Sequence, residues 1–272
     1  GFFATVHDRP AAGCTPEIDE ASYVEYSSFF WAALGGRDRS GKAIAIPDYD
    51  QNGVVSFEEA HAYVILTADT IDLPVKTSGE FLTVHSKFSD GDDGLLANDV
   101  DSSLVLELAT ASQKEILEGL SEQLKLSGDN RLVDAWKATQ TRRGPGRNRQ
   151  PVSRGQDKSR DVRREIASDL KRRWPALANV LNPLAIELIT TRSNELVAAI
   201  EDHPKYESYR ELSLEAKSTL SEQKRKVKFD RFLRTADNVI MAENLKRMDD
   251  HGKLEQFQAL VAAERRTLRE NQ

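Results

Sequence analysis

From Leu104 onward, apolar residues recur at the spacing of an α-helix, and this pattern constrains the fold more than any other feature of the sequence. One such stripe consists of Leu117, Leu120 and Leu124. Residues three or four positions apart lie on the same face of a helix, so each stripe marks a side that packs against a neighbour. We therefore predict a helical hairpin or bundle in the C-terminal part, including one long helix over about 206–248.

The first 95 residues predict a different architecture. An apolar, β-prone run opens the chain at Phe2–Val6, and a second short run lies at 43–46. Helical spacing between the two runs predicts a helix that ends at Gly35, and a further helix is predicted over 57–70. Strands and helices in this order predict the fold class α/β, a partial α/β sandwich, followed by the all-α hairpin or bundle.

Charge divides the chain into segments. Residues 1–100 contain 17 acidic and 6 basic side chains, whereas residues 142–173 contain 12 basic and 4 acidic ones. The stretch 142–155 also contains Gly-Pro-Gly and few apolar side chains, a composition that favours a flexible chain. The predicted parts are an α/β domain at 1–95, a helical connector at 96–141, a basic flexible linker at 142–160 and a helical accessory domain at 161–272.

The basic linker has two interpretations. Its arginines and lysines could bind phosphates through counterion release, but no aromatic side chains are interleaved for base stacking. We therefore predict no specific nucleic acid and favour a solvated connector. The amphipathic helices that follow predict a protein partner. No apolar run approaches the roughly 18 residues that a membrane span needs, so no membrane contact is predicted.

Cysteine occurs once, at Cys14, which excludes an intrachain disulfide and favours a reducing, cytoplasmic location. A thiolate nucleophile at this position would need a nearby base, and no spacing pairs Cys14 with a histidine. The alternative is a packed or groove-lining cysteine. The residues after Gly1 lack the features of a signal peptide, and we expect a longer protein of which this chain is part.

The strongest local motif is a complete calcium-loop pattern, D-x-[DN]-x-[DN]-G-x₅-E, over residues 48–59. Calcium takes six to eight hard oxygen ligands, and this spacing supplies carboxylate, amide, carbonyl and hydroxyl oxygens, with Gly53 allowing the sharp turn. The predicted Ca²⁺ ligands are Asp48, Asp50, Asn52, the Val54 carbonyl, Ser56 directly or through water, and a bidentate Glu59.

Two features weaken the calcium interpretation. Gly41 and Pro47 leave no room for the helix that enters a standard EF-hand, and the sequence contains no evident partner loop. We therefore expect weak or structural binding, in the roughly 10⁻⁴ to 10⁻³ M range. The alternative is a polar turn in which the Glu59 carboxylate only caps the following helix. His61, two positions further, is interpreted as a partly buried structural histidine rather than a ligand.

The order of residues in the first 75 positions resembles the C-terminal half of a caspase-like cysteine peptidase domain, of the metacaspase and bacterial caspase-homologue kind. The stretches that carry the resemblance are the strand Phe2–Val6, the loop His7–Thr15, the run Ser28–Leu34 and the acidic segment Asp48–Glu59 followed by Ala62-Tyr63-Val64. The resemblance implies a caspase-like sandwich and a substrate groove lined by Gly13, Cys14 and Thr15. The family's catalytic cysteine and histidine precede the strand, so no residue of this chain is predicted to be catalytic.

Two functions follow from these observations. The first is the C-terminal part of a caspase-like cysteine endopeptidase that acts on a protein or peptide substrate and carries a calcium loop. The alternative is a non-enzymatic calcium-binding interaction or scaffold protein whose C-terminal helices bind a partner.

Overall fold

The computed structural model describes residues 1–9, 11, 25–140, 152–179 and 181–268. Within these ranges the chain is mostly helical, with eleven α-helices and two strands of two residues each. The chain divides into two compact units, one formed by Gly1–Arg143 with Lys224–Gln272 and the other by Gly144–Gln223.

The predicted α/β sandwich is wrong. Strand β1 (Phe2–Phe3) pairs antiparallel with β2 (Val75–Lys76), and the described residues form no larger sheet. The run at 43–46 makes only an isolated bridge between Ala43 and Arg37, and its Ile46 side chain is exposed. An apolar run becomes a sandwich strand only where strands on both sides satisfy its backbone groups, and in the described ranges the first run pairs over two residues with one strand and the second makes a single bridge.

The first unit is built from helices around α2, α5 and the C-terminal part of α10. Its helices are α1 (Tyr26–Gly35), α2 (Phe57–Thr67), α3 (Thr77–His85), α4 (Ser102–Leu108), α5 (Ala111–Leu124), α6 (Arg131–Gln140), the last part of α10 (Tyr206–Arg247) and α11 (His251–Glu264). Reciprocal side-chain caps fix the first turns of two of them, Ser56 with Glu59 at α2 and Thr110 with Gln113 at α5.

The core of this unit confirms the predicted helical stripes. Leu117, Leu120 and Leu124 are all buried, and they pack in one cluster with α10 side chains that include Phe232, Ala236, Val239 and Ile240. Gly119 explains how closely α5 approaches α2, because a Cβ at this position would lie 2.7 Å from Cδ2 of Leu66. The packing of α5 and α10 on α2 holds in place the helix that follows the calcium-loop motif.

The second unit contains the helices α7 (Val152–Arg173), α8 (Pro183–Thr190), α9 (Ser193–Glu201) and the first part of α10, with a short 3₁₀ helix at Pro175–Ala178. Helix α7 begins inside the segment 142–160, of which residues 142–151 lie outside the described ranges. Proline stands in the first turn of α8 and Asn182 caps it, as expected for a helix start. The long helix predicted over about 206–248 is present as α10.

Candidate calcium-binding loop

The motif over residues 48–59 lies between a turn-rich segment and α2. Helix α1 ends at Gly35 and α2 begins at Phe57, so no helix leads directly into the loop. Gly53 has a φ of 86°, in the left-handed region that the motif's glycine is expected to adopt. The loop therefore combines the motif's sharp turn with its outgoing helix alone.

The fold brings three of the predicted ligands together. Asp48, Asp50 and Glu59 each offer a carboxylate oxygen, and these oxygens all lie within 4.8 Å of one another. Asp50 is exposed, Asp48 is partly buried and Glu59 is only 2% exposed. The site is thus open to solvent on one side and anchored in the protein on the other.

Hydrogen bonds within the loop hold the side chains of Asp48, Asp50 and Asn52 in place. Asp48 accepts from the backbone N–H of Asn52 at 3.0 Å and from that of Gly53 at 2.8 Å. Asp50 accepts from the backbone N–H and the side-chain amide of Asn52, at 3.1 and 3.0 Å. The Asn52 Oδ1 accepts from the Val54 N–H at 3.0 Å. The first three side-chain ligands are therefore held by backbone donors of the same turn.

Glu59 also caps α2, as the alternative interpretation predicted. Its Oε2 accepts from the backbone N–H and the hydroxyl of Ser56, at 2.8 and 2.9 Å, and its Oε1 accepts from the Tyr49 N–H at 2.8 Å and the Asp50 N–H at 3.3 Å. These four hydrogen bonds use the roughly four lone-pair sites of the carboxylate, so coordination of a cation by Glu59 would replace some of them. The same bonds that cap the helix orient the carboxylate beside Asp48 and Asp50.

The electrostatics of the cluster favour a cation. In the described ranges none of the three carboxylates forms an ion pair with a lysine, arginine or histidine, and the compensation there comes from the N–H and hydroxyl groups that donate to them. Two unit charges 4 Å apart repel by about 1 kcal/mol in water, and by more where solvent is partly excluded. A divalent cation bound between the three carboxylates would remove this repulsion.

The loop has a pairing partner that the sequence did not indicate. Ser56 forms an isolated antiparallel bridge with Thr267, and the Phe57 N–H donates to the Arg266 carbonyl at 3.0 Å. The partner is a single stretch of backbone just after α11, more than 200 positions away. Periodicity and motif spacing are local signals, so neither could have revealed it.

His61 is a structural histidine, and it is more fully buried than predicted. It is 4% exposed, its Nδ1 is hydrogen-bonded to the Tyr26 hydroxyl at 2.8 Å, and the Phe2 ring packs against it. Burial, reinforced by the positive charge of Lys76, lowers the pKa of His61 to about 3. The side chain is therefore neutral and lies in an aromatic cluster.

The other predicted sites lie elsewhere. Gly13, Cys14 and Thr15, predicted to line a substrate groove, lie outside the described residues. The helices predicted to bind a partner expose several large apolar side chains, among them Leu184, Ile186, Ile189 and Val197 on α8 and α9. Of the helices in the described ranges, none is both long enough and apolar enough to cross a bilayer.

Comparison of the chain with protein-family models, with curated proteins and with solved structures gives no match in any of the three. The geometry of residues 48–59 is therefore the main indication of function in the described part of the chain.

Proposed function

We propose that residues 48–59 bind Ca²⁺ and that the protein is a calcium-binding protein. The observation that carries this proposal is the convergence of the Asp48, Asp50 and Glu59 carboxylates within 4.8 Å, with no basic side chain paired to them in the described ranges. The positions of these residues match a complete calcium-loop pattern. The sequence motif and the convergence of its carboxylates therefore support the same site.

The donor set favours calcium over other common cations. It consists of carboxylate, amide and carbonyl oxygens, whereas zinc prefers cysteine sulfur and histidine nitrogen. Six or more oxygens in a flexible arrangement suit Ca²⁺ better than Mg²⁺, which needs near-ideal octahedral geometry. The Ser56 hydroxyl already bonds to Glu59, which favours a water molecule at that coordination position.

The ion would stabilise the first unit, which contains the loop. It would join the loop to the first turn of α2, which packs on α5 and α10. A ligand that binds only the folded state stabilises it by about 2.7 kcal/mol at a concentration one hundred times its Kd. Calcium is therefore expected to raise the melting temperature of this unit.

Calorimetric titration of the full chain with CaCl₂ tests the proposal. Two variants remove ligands: Glu59→Gln, which also perturbs the helix cap, and Asp50→Asn, which changes an exposed side chain that bonds only within the loop. Asp92→Asn is the matched control, because it removes one exposed carboxylate from an acidic loop that lacks the motif.

Saturable binding of one Ca²⁺ per chain is expected for the wild type and for Asp92→Asn, with binding at least tenfold weaker in both ligand variants. Equal binding in Asp50→Asn and the wild type would show that the ion lies elsewhere. A titration with MgCl₂ gives the ion preference, and calcium is expected to bind more tightly.

The peptidase function stays a prediction from the resemblance, as do a protein or peptide substrate, a partner for the C-terminal helices and a cytoplasmic location. The exposed apolar side chains on α8 and α9 support the partner prediction. The single cysteine of the sequence supports the location.

A further inference from the structure

The first turn of α2 is held from outside the calcium loop by residues 264–267, here called the C-terminal segment. Thr267 bridges to Ser56 and the Arg266 carbonyl accepts from the Phe57 N–H, so backbone contacts reach both residues at the start of the helix. Thr267 and Glu264 are buried in this arrangement, at 8% and 2% exposure. The segment is therefore packed against other parts of the first unit, to which it belongs.

Ion pairs reinforce these backbone contacts. Glu58, the second residue of α2 and the neighbour of the predicted ligand Glu59, forms ion pairs with Arg265 at 2.9 Å and Lys76 at 2.5 Å, with its side chain only 8% exposed. Lys76 also lies 3.2 Å from Glu264. Glu58 thus joins α2 to the segment directly through Arg265 and indirectly through Lys76, which also pairs with Glu264.

Glu264 extends the network to the next helix. Its two carboxylate oxygens accept from the backbone N–H and the hydroxyl of Ser78, at 2.8 and 2.6 Å. Ser78 lies in the first turn of α3, so the segment joins the starts of two helices. Displacing the segment would leave the partly buried Lys76 and the buried Glu58 with fewer partners and would remove the acceptor of the Phe57 N–H.

We propose that the C-terminal segment is a positioning element for the calcium loop and that calcium binding and segment docking stabilise each other. This inference rests on the proposed function of the loop. Ser56 and Glu59 belong to the loop and also to the turn that the segment contacts, so an ion that fixes Glu59 favours the docked segment. Coupling between two binding events is reciprocal by thermodynamic necessity, so each must strengthen the other by the same factor.

Two measurements on the full chain test the coupling. In calorimetry, Arg265→Ala should weaken calcium binding about fivefold, the lower end of typical coupling, and Arg265→Lys should restore most of the loss. Arg247→Ala is the control, since Arg247 forms a comparable partly exposed ion pair with Glu243 on α10. Hydrogen exchange on the wild type should become slower at residues 264–267 when calcium is saturating.

The outcomes separate this inference from the proposed function. Calcium binding by the wild type, with an unchanged Kd in Arg265→Ala and unchanged exchange at 264–267, would overturn the coupling and leave the calcium site intact. Absence of binding by the wild type would overturn both. If Arg265→Ala does not fold, the exchange measurement on the wild type decides alone.

Discussion

Arg231 donates a hydrogen bond of 2.7 Å to the carbonyl of Ala68, the residue that follows the last turn of α2. The same guanidinium donates to the carbonyls of Ile65 and Asp72 at 3.0 Å each, and to the Thr70 hydroxyl at 3.0 Å. Arg231 is only 2% exposed. One buried side chain of α10 thus satisfies the carbonyl end of the helix whose other end carries the candidate calcium loop.

Arg231→Met should therefore be strongly destabilising. It removes a buried guanidinium that donates hydrogen bonds to several carbonyls and lies near the buried Asp72. Loss of such a buried charged group costs about 3–5 kcal/mol in the free energy of unfolding. Chemical denaturation measures the change. Arg234→Met on the same helix is the control, because its ion pair with Glu80 is partly exposed and should contribute less than about 1 kcal/mol. Similar losses in both variants would contradict the structural role given to Arg231.

The cap at the start of α2 predicts a second stability change, independent of calcium. Ser56→Ala removes the hydroxyl that accepts from the Glu59 N–H and donates to its carboxylate. With calcium removed by a chelator, this substitution should lower the free energy of unfolding by about 1 kcal/mol. Thermal unfolding with excess EDTA measures it. Ser56→Thr keeps the hydroxyl and should retain most of the stability; an Ala variant as stable as the wild type would mean that the cap contributes nothing.

The buried His61 predicts a dependence of stability on pH. Its pKa is about 3 in the folded protein against 6.5 for an ordinary histidine, so only the unfolded chain takes up its proton between these values. The contribution of His61 is therefore complete above pH 6.5 and is lost as the pH falls, by about 2 kcal/mol at pH 5. His61→Gln cannot titrate, so the difference in unfolding free energy between variant and wild type should narrow by that amount from pH 7 to 5. A constant difference would show that His61 is not held neutral.

Asp237 predicts a change of opposite sign. Burial raises its pKa to about 6, only partly opposed by Arg234, so the folded protein binds a proton that the unfolded chain does not between about pH 4 and 6. Its contribution is present at low pH and is lost as the pH rises through 6. Asp237→Asn should therefore stabilise the protein at pH 7, by up to about 3 kcal/mol, with little effect at pH 4. Urea denaturation at both pH values checks this, and a variant less stable at pH 7 would contradict it.

The local parts of this structure could be predicted from the sequence, and the long-range parts could not. Leu120 and Ile240 lie in the core because helical periodicity is a local property of the chain. The motif spacing likewise predicted that Asp48 and Glu59 belong to one loop. The run Phe2–Val6 contains the predicted strand only over Phe2–Phe3, and the sandwich expected around it is wrong because a sheet depends on partner strands, of which the described residues supply Val75–Lys76 alone.

The contacts that hold the candidate site were hidden for the same reason. Ser56 pairs with Thr267 and Ser78 with Glu264, in each case across more than 180 positions. A serine or a glutamate on a helical pattern is normally a solvated residue, and only the fold places Glu264 in the interior.

The most direct test of the central claim is to locate the ion. Crystals of the full chain grown with CaCl₂ should show an anomalous scattering peak between Asp48, Asp50 and Glu59, with oxygens of these residues, of Asn52 and of the Val54 carbonyl at about 2.3–2.6 Å. An ordered loop without a peak at saturating calcium, or a peak confined to other residues, would contradict the assignment and leave residues 48–59 as a capping turn of α2.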